Sequence, residues 1–270
     1  MLAQMAFWCR WMKKNLVLAI TLLIFIPASG FGLFHLSKYS TSDGPNLIFH
    51  DWVWPHQMAD REYLSEFEYC RLRPTKCKMS GPRFLVGTFD DSGHYVAHLN
   101  VQDTVNRKGP IGLVWRLEAL VPTNLIGKEI KSALNFFFNM GVHVEFLVID
   151  YDSPSKGLYA YADWIDALRS EQLQLPVSVT GLVSWSIDNP DGFELLLGAA
   201  EAVSVQLYQG PRRVHLHDNL VLVMERYDNV HISLYCPDTG LLDFLFKKVR
   251  ISRPLDIGIF NSSGCNNPPA

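Results

Sequence analysis

Positive charge is scarce in this chain once its first 30 residues are set aside. The 270 residues carry 24 Lys and Arg against 27 Asp and Glu, and three of those cations, Arg10, Lys13 and Lys14, precede residue 30. That stretch contains no acid, so 21 cations face 27 acids in the rest, a net charge of −6. Nucleic-acid binding needs a basic face, so we expect no nucleic-acid partner.

Several signatures of enzyme classes are also missing. The sequence has no Gly-rich phosphate loop, no serine nucleophile elbow and no Cys/His context typical of a cysteine nucleophile. We therefore expect no cofactor and no resident metal ion. The length is sufficient for a sizeable core and fits one α/β barrel of about 250 residues as well as two small domains.

A long apolar run is present only near the N-terminus. Asn15–Leu36 holds about 22 residues without Asp, Glu, Lys or Arg, directly after the three cations. A basic flank before such a run is typical of positive-inside insertion, either as an uncleaved anchor or as a signal peptide cleaved near Ala28-Ser29-Gly30. We predict an anchor or signal peptide over 1–36, a linker over 37–46 and an exported domain over 47–265. That domain would face the periplasm from the inner membrane or be secreted there.

The exported part keeps an even number of cysteines. These are Cys70, Cys77, Cys236 and Cys265. An oxidising compartment favours disulfides, with Cys70–Cys77 and Cys236–Cys265 the expected pairs. Four free buried thiols are the alternative, because connectivity is not encoded in spacing alone.

Short apolar runs rich in β-branched residues alternate with helical patterns after the linker. Strands that alternate with helices indicate parallel βαβ units, and eight of them predict a closed (β/α)8 barrel of the TIM type. The predicted strands are Leu47–His50, Phe84–Phe89, Ile111–Leu117, Val144–Ile149, Val177–Val183, Val203–Leu207, Val230–Tyr235 and Leu255–Phe260. The predicted helices are Pro55–Cys70, Leu125–Met140, Leu158–Gln172, Gly192–Ala200, Asp218–Tyr227 and Leu241–Val249.

The second βα unit departs from this alternation. Between Phe89 and Ile111, where a crossover helix is expected, the chain reads DDSGHYVAHLNVQDTVNRKGP. The segment HYVAHLNV is typical of a strand joined to the preceding one by a turn at Asp91-Ser92-Gly93. We expect an irregular barrel at this point.

The second half of the chain resembles a family of bacterial proteins. The segments IDYDSP, LYAYADWIDALR, LPVSVTGLVSW, AVSVQLY and NVHISLY resemble the Domain of Unknown Function family 3142 over about residues 110–260. The start at Asp51-Trp52-Val53-Trp54 departs from the Trp-Gln-Arg-like start of that family. The resemblance implies a TIM barrel related to glycoside hydrolases, with a carbohydrate ligand and no established mechanism. The matching positions are Asp150, Asp152, Pro154, Tyr161, Leu168, Arg169, Val177–Trp185, Val205, Gln206 and Tyr235.

Two acids follow the fourth predicted strand. Asp150 and Asp152 are two residues apart and so project from one face, with Cα atoms roughly 6.5 Å apart. Glycoside hydrolysis uses two carboxyl groups, and repulsion between neighbouring carboxylates raises the pKa of one of them. Chitinase-like barrels have D-x-D-x-E here, but Pro154 takes the place of the final acid, so Glu118 is the candidate proton donor. Alternatively, Asp152 caps the following loop and Asp150 pairs with Arg116.

Aromatic residues recur at the predicted strand ends beside polar ones. Sugar rings stack on aromatic faces, while sugar hydroxyls need hydrogen-bonding partners, so this mixture is typical of a saccharide cleft. Aromatic residues also pack ordinary cores. The candidate substrate-binding residues are Trp52, Trp54, Trp115, Arg116, Trp185, Gln206, Tyr208 and Tyr235.

A metal-dependent polysaccharide deacetylase is a weaker alternative. Thr88-Phe89-Asp90-Asp91 with His94 and His98 resembles the metal-binding residues of that family. Residues four apart on a strand lie about 13 Å from each other, too far to share one ion. His215-Leu216-His217-Asp218 is a similarly weak pattern. We expect an exported, membrane-tethered barrel that acts on or binds a polysaccharide or oligosaccharide, with a non-catalytic carbohydrate-binding protein as the main alternative.

Overall fold

Ten β-strands organise the part of the chain that the structure describes. The computed structural model describes residues 46–53, 70, 72, 74–99, 109–207, 221–235 and 253–260, all within the unit Gly44–Ala270. The strands are β1 Leu47–Val53, β2 Cys77–Met79, β3 Arg83–Phe89, β4 Tyr95–Ala97, β5 Ile111–Leu117, β6 Val144–Tyr151, β7 Val177–Leu182, β8 Val203–Gln206, β9 Val230–Tyr235 and β10 Leu255–Phe260.

Eight of these strands form a closed parallel ring. The order around the ring is β1-β10-β9-β8-β7-β6-β5-β3, and β3 returns to β1. These are the eight predicted runs, so the predicted (β/α)8-type barrel is confirmed. In such a barrel the last residues of every strand meet at one end, which we call the carboxyl-terminal rim.

Helices cover the outside of the barrel. They are α1 Thr123–Asn139, α2 Leu158–Arg169, the short α3 Trp185–Asp188 and α4 Pro190–Ala199, and residues 221–226 are also helical. The start of α4 has a clear local cause, because Asn189 Oδ1 accepts a hydrogen bond from the Gly192 N–H at 3.0 Å and Pro190 occupies the first helical turn. Three predicted helices are thus confirmed, and the one over 218–227 is confirmed over 221–226. Those over 55–70 and 241–249 lie outside the described residues apart from residue 70.

The predicted irregularity of the second unit is confirmed. β4 runs antiparallel to β3, with Phe89 opposite Tyr95, and Gly93 in the connecting turn has a φ of +82°. Asp90 Oδ1 holds the turn by accepting hydrogen bonds from the backbone N–H groups of Ser92 and His94. The barrel therefore has an extra strand beside β3.

The seam between β1 and β3 is short. β1 pairs with β3 only at Trp52 with Arg83 and at Val53 with Phe84, while the earlier part of β1 pairs with β2. Nearer the carboxyl-terminal rim, β4 occupies the edge of β3 that faces away from β5. Among the described residues, β1 and β3 thus share fewer residue pairs than any other two neighbouring strands of the ring.

The predicted disulfide Cys70–Cys77 is present, with Cα atoms 5.6 Å apart. It attaches the chain before β2 to the first residue of that strand. Cys236 and Cys265 lie outside the described residues, as does the predicted segment 1–36. Within the described residues, no helix is long and apolar enough to cross a membrane.

The two faces of the barrel strands differ in chemistry. The helix-facing side forms one large apolar core that includes Leu113, Ile149 and Val179. The interior has only a small apolar cluster, formed by Trp52, Leu85, Val114, Val148 and Phe260, with Phe146 packed against it. Polar side chains occupy much of the remaining interior, where other TIM barrels have branched apolar residues.

Candidate functional site

Asp150 is the centre of a polar group at the carboxyl-terminal rim. It is the seventh of the eight residues of β6, shares the interior face with Val148, and its side chain is 1% exposed. Its Oδ2 accepts a hydrogen bond from Arg116 Nη1 at 2.7 Å. Its Oδ1 accepts from Thr180 Oγ1 at 2.6 Å and from Gln206 Nε2 at 3.2 Å. Side chains from four neighbouring strands therefore converge here.

Burial dominates the electrostatics of Asp150. Removal from water raises the pKa of this carboxyl above its ordinary value, and the nearby charge of Asp152 adds to the rise. Arg116 and the hydrogen bond from Thr180 oppose it. The carboxylate is thus compensated by three donors but is not accessible to a large ligand.

Asp152 is the accessible member of the pair. It follows the last residue of β6, and its side chain is 36% exposed. Its Oδ2 lies 3.4 Å from Arg116 Nη2, so one guanidinium group contacts both carboxylates. Arg116 itself is 38% exposed. The pairing of Asp150 with Arg116, which was the structural alternative for this acid pair, is present, and Asp152 and Arg116 are both accessible to solvent.

Glu118 lies on the same rim. It follows the last residue of β5, is exposed, and donates its backbone N–H to the Phe89 carbonyl at 2.9 Å. Leu117 and Tyr151 are paired on neighbouring strands, so Glu118 and Asp152 each follow a member of the same pair. The candidate proton donor is therefore on the strand next to the acid pair.

Two of the candidate tryptophans, Trp115 and Trp185, are buried in the helix-facing core. Trp115 is 0% exposed and belongs to the helix-facing core, because strand alternation places it opposite in direction to Arg116. Trp185 begins α3, is 1% exposed and donates its Nε1–H to the Ser153 carbonyl at 3.0 Å. Both residues therefore pack in the core, as the alternative interpretation of the aromatic residues expected, and neither ring is available to a sugar.

The remaining aromatic candidates divide between the barrel interior and the undescribed part. Trp52 is buried inside the barrel and stacks on Phe260 with ring centroids 4.7 Å apart. Tyr235 ends β9, but its side chain is not described. Trp54 and Tyr208 lie outside the described residues. The candidate aromatic residues that the structure describes therefore do not form a stacking platform for a sugar.

The residues of the deacetylase alternative serve the β3–β4 hairpin. Asp90 caps its own turn, and His98 Nε2 lies 2.9 Å from Thr88 Oγ1 in a hydrogen bond across the hairpin. Among the described residues, no group of three His, Cys, Asp or Glu side chains could hold a metal ion. The pattern at His215–Asp218 lies outside them.

One member of the Asp150 group was not predicted. Thr180 lies in the run PVSVTGLVSW, and its side chain shares a strand face with Ser178. The alternation of Ser178 and Thr180 with apolar residues was a signal that this face of β7 is polar. That signal, combined with the position of Asp150 on the neighbouring strand β6, was sufficient to predict that Thr180 belongs to the group.

Comparison with known proteins gives only distant structural likeness. No family model and no curated protein matches the chain. The spore cortex-lytic enzyme SleL of Bacillus cereus is similar with a TM-score of 0.45 and 12% identity, over 70% of this chain and 50% of that chain. The catalytic domain of a family GH18 chitinase from the fern Peteris ryukyuensis gives 0.47 and 11%, over 80% and 92%.

A protein of different activity is similar to almost the same degree. The tryptophan synthase α-subunit of Pyrococcus furiosus gives a TM-score of 0.42 and 11% identity, over 82% of this chain and 88% of that chain. This chain spans only half the length of SleL. Likeness at this level carries no argument about activity, and the barrel rests on the strand pairings described above.

Proposed function

We propose that this protein binds a polysaccharide or oligosaccharide at the carboxyl-terminal rim of its barrel. The observation that carries the proposal is Arg116, which is shared between a buried carboxylate, Asp150, and an exposed one, Asp152. Ligands of parallel barrels bind at this end. The resemblance to the glycoside-hydrolase-like Domain of Unknown Function family 3142 supports a saccharide as the ligand.

The exposed polar atoms of the group suit neutral sugar hydroxyls. Asp152 offers carboxylate oxygens as acceptors and Arg116 offers N–H donors, so a pair of vicinal hydroxyls finds both kinds of partner. Two carboxylates and one guanidinium leave the group with a formal charge of −1. We therefore propose a neutral saccharide in preference to a polyanionic one.

Hydrolysis is the activity that we propose second. It needs two carboxyl groups, about 5–5.5 Å apart for retention or 6.5–9.5 Å apart for inversion. Asp150 is occupied by three donors, so we assign it the positioning of Arg116. Asp152 would act as the base or nucleophile, and Glu118 would protonate the leaving oxygen. Without that proton transfer, the site remains a binding site.

A panel of immobilised neutral oligosaccharides tests the binding proposal on the purified full-length chain. Asp152→Asn should reduce binding at least tenfold, whereas Asp163→Asn, an exposed acid on α2, should leave it unchanged. Absence of binding to every neutral sugar, or equal binding by both variants, would contradict the proposal. Reducing ends released by the wild type and lost in Glu118→Gln would establish hydrolysis, and binding without release would establish a non-catalytic protein.

We also propose that the barrel is exported and tethered through residues 1–36. The Cys70–Cys77 disulfide supports an oxidising compartment such as the periplasm. Fractionation of cells with an epitope at the C-terminus should recover the full-length chain with the inner membrane. A shortened chain in the soluble periplasmic fraction would instead identify a cleaved signal peptide, and recovery from the cytosol would contradict export.

A further inference from the structure

A second polar group lies inside the barrel near the amino-terminal ends of its strands, apart from Asp150. We call His50, Arg83, His231 and Asp256 the interior cluster. Asp256 accepts from His50 Nδ1 at 2.6 Å through Oδ1 and from Arg83 Nη2 at 2.7 Å through Oδ2. His231 Nδ1 lies 3.7 Å from the same Oδ2. The cluster joins β1, β3, β9 and β10, the strands on either side of the closing seam.

The protonation states in the cluster follow from burial. Burial and, to a lesser extent, the charge of Arg83 lower the pKa of His50 to about 4 against the opposing effect of Asp256, so His50 is neutral near pH 7. Although burial alone would raise the pKa of Asp256, His50 and Arg83 hold it well below its ordinary value. His50 Nδ1 therefore carries the proton donated to Asp256. Its Nε2 is left with a lone pair, as an acceptor.

Four buried polar atoms around this cluster have no protein partner among the described residues. They are His50 Nε2, Trp52 Nε1, and Nε and Nη1 of Arg83. The three side chains are 0%, 3% and 4% exposed. Buried polar groups in folded proteins are almost always paired with protein or with an internal water. One acceptor and several N–H donors are thus left to be satisfied by a ligand.

Two of these atoms, Trp52 Nε1 and His50 Nε2, lie close to each other beside Gly258. A Cβ on Gly258 would lie 2.1 Å from Trp52 Nε1 and 2.8 Å from His50 Nε2. The two nitrogens are therefore less than about 5 Å apart, a span that one bridging water covers. The guanidinium carbon of Arg83 lies 5.3 Å from the centre of the Trp52 ring and 4.7 Å from that of Phe146.

We infer that the interior cluster binds an internal water molecule, which accepts hydrogen bonds from Trp52 Nε1 and Arg83 and donates one to His50 Nε2. A neutral ligand is favoured because Asp256 already balances the charge of Arg83. A metal ion is disfavoured because Arg83 and Trp52 present only N–H donors. The water completes a bridge between β1 and β3, at the seam where only two residue pairs join the strands.

Nuclear Overhauser spectroscopy on the full-length chain labelled with [15N]tryptophan tests this inference. The indole proton of Trp52 should show a cross-peak to a long-lived water. Trp164 and Trp185 are matched controls, because their Nε1–H groups donate to the Val121 and Ser153 carbonyls, and they should show none. No cross-peak at Trp52, or one equal to the controls, would overturn the inference.

A crystal structure at about 1.5 Å resolution, with a bromide soak, distinguishes a bound water from a bound anion and from direct contact between the two side chains. Density for water within hydrogen-bonding distance of Trp52 Nε1 and His50 Nε2, without anomalous signal, is the expected result. An anomalous bromide peak there would overturn the inference in favour of an anion site. Direct contact of Trp52 Nε1 with His50 Nε2 would overturn it in favour of a dry cluster. The wild-type chain serves for both measurements, so neither depends on a variant that folds.

Discussion

Asp150 contributes both to the stability of the fold and to the geometry of the candidate site, through its contact with Arg116. The carboxylate of Asp150 is inaccessible, yet it fixes the guanidinium whose other edge reaches Asp152. The cost of burying Asp150 is offset by three donors, one of them charged. An exposed acid beside a fixed cation is then presented at the rim without flexible side chains.

Two replacements of Asp150 should separate the contribution of its charge to stability from the contribution of its hydrogen bonds. Asp150→Leu should destabilise the fold by about 3 kcal/mol, because Thr180 and Gln206 lose their buried acceptor. Asp150→Asn should cost less than half as much, since a neutral amide avoids the burial penalty and still accepts from Thr180. Urea denaturation of the purified variants measures both values.

The control for this comparison is Asp163→Leu on the exposed face of α2, which should change stability by no more than about 0.5 kcal/mol. Equal losses for Asp150→Leu and Asp150→Asn would mean that charge, rather than hydrogen bonding to Thr180 and Gln206, holds the group together.

The β3–β4 hairpin is the element that distinguishes this barrel from a regular one. Gly87 on β3 lets the ring of Tyr95 on β4 lie directly on the backbone, since a Cβ would be 2.3 Å from Tyr95 Cε2. Tyr95 also packs on Phe89, with ring centroids 4.9 Å apart. The hairpin is thus fixed by ring packing as well as by its short ladder.

Gly87→Ala should destabilise the protein by about 1–3 kcal/mol, because the Tyr95 ring must move from its place. The double variant Gly87→Ala/Tyr95→Ala should lose less than the two single changes together. Gly198→Ala in α4 is the matched control, since its Cβ meets nothing within 4 Å, and it should stabilise by roughly 0.5–1 kcal/mol. Thermal unfolding of the four variants decides the matter, and additive losses would exclude contact between Gly87 and Tyr95.

The elements and the acid pair were predictable, and the interior was not. Eight apolar runs and the position of Asp150 after the fourth were enough for the barrel and its rim. The strand Ile111–Leu117, however, is apolar on both faces except at Arg116, so its own pattern does not tell which face is interior, and Trp115 was assigned to the rim for that reason. The partnership of His50 with Asp256 spans 206 residues and arises only on closure of the ring.

The response of the whole molecule to acid should be set by the interior cluster. His50 and His231 both have pKa values lowered by burial from 6.5 to about 4. Around them lie the charges of Arg83 from β3, Asp256 from β10 and Arg253 before β10. The unfolded chain protonates these histidines below pH 6.5, whereas the folded chain does so only near pH 4. Stability from them is complete above pH 6.5 and is lost as the pH falls towards 4.

Urea denaturation between pH 7 and pH 4.5 should therefore show a loss of up to about 3 kcal/mol per histidine. Asp150 affects the pH dependence of stability in the opposite direction. Because its pKa is raised in the folded chain, its contribution to stability is complete below pH 3.8 and is lost as the pH rises through its pKa in the folded chain. His231→Asn should flatten the profile, while His94→Asn, whose side chain is 72% exposed, should not. A profile unchanged by His231→Asn would remove the cluster as its cause.

The seam that closes the ring also has a consequence for biosynthesis. β1 leaves the ribosome about two hundred residues before β10, the strand that it must pair with along most of its length. Until then, one edge of β1 has unpaired N–H and C=O groups, which invite pairing with other chains. Contacts so distant in sequence form late and slowly. Nascent chains that stop before β10 should therefore aggregate and be degraded, and a holding chaperone should be needed until the last strand is made.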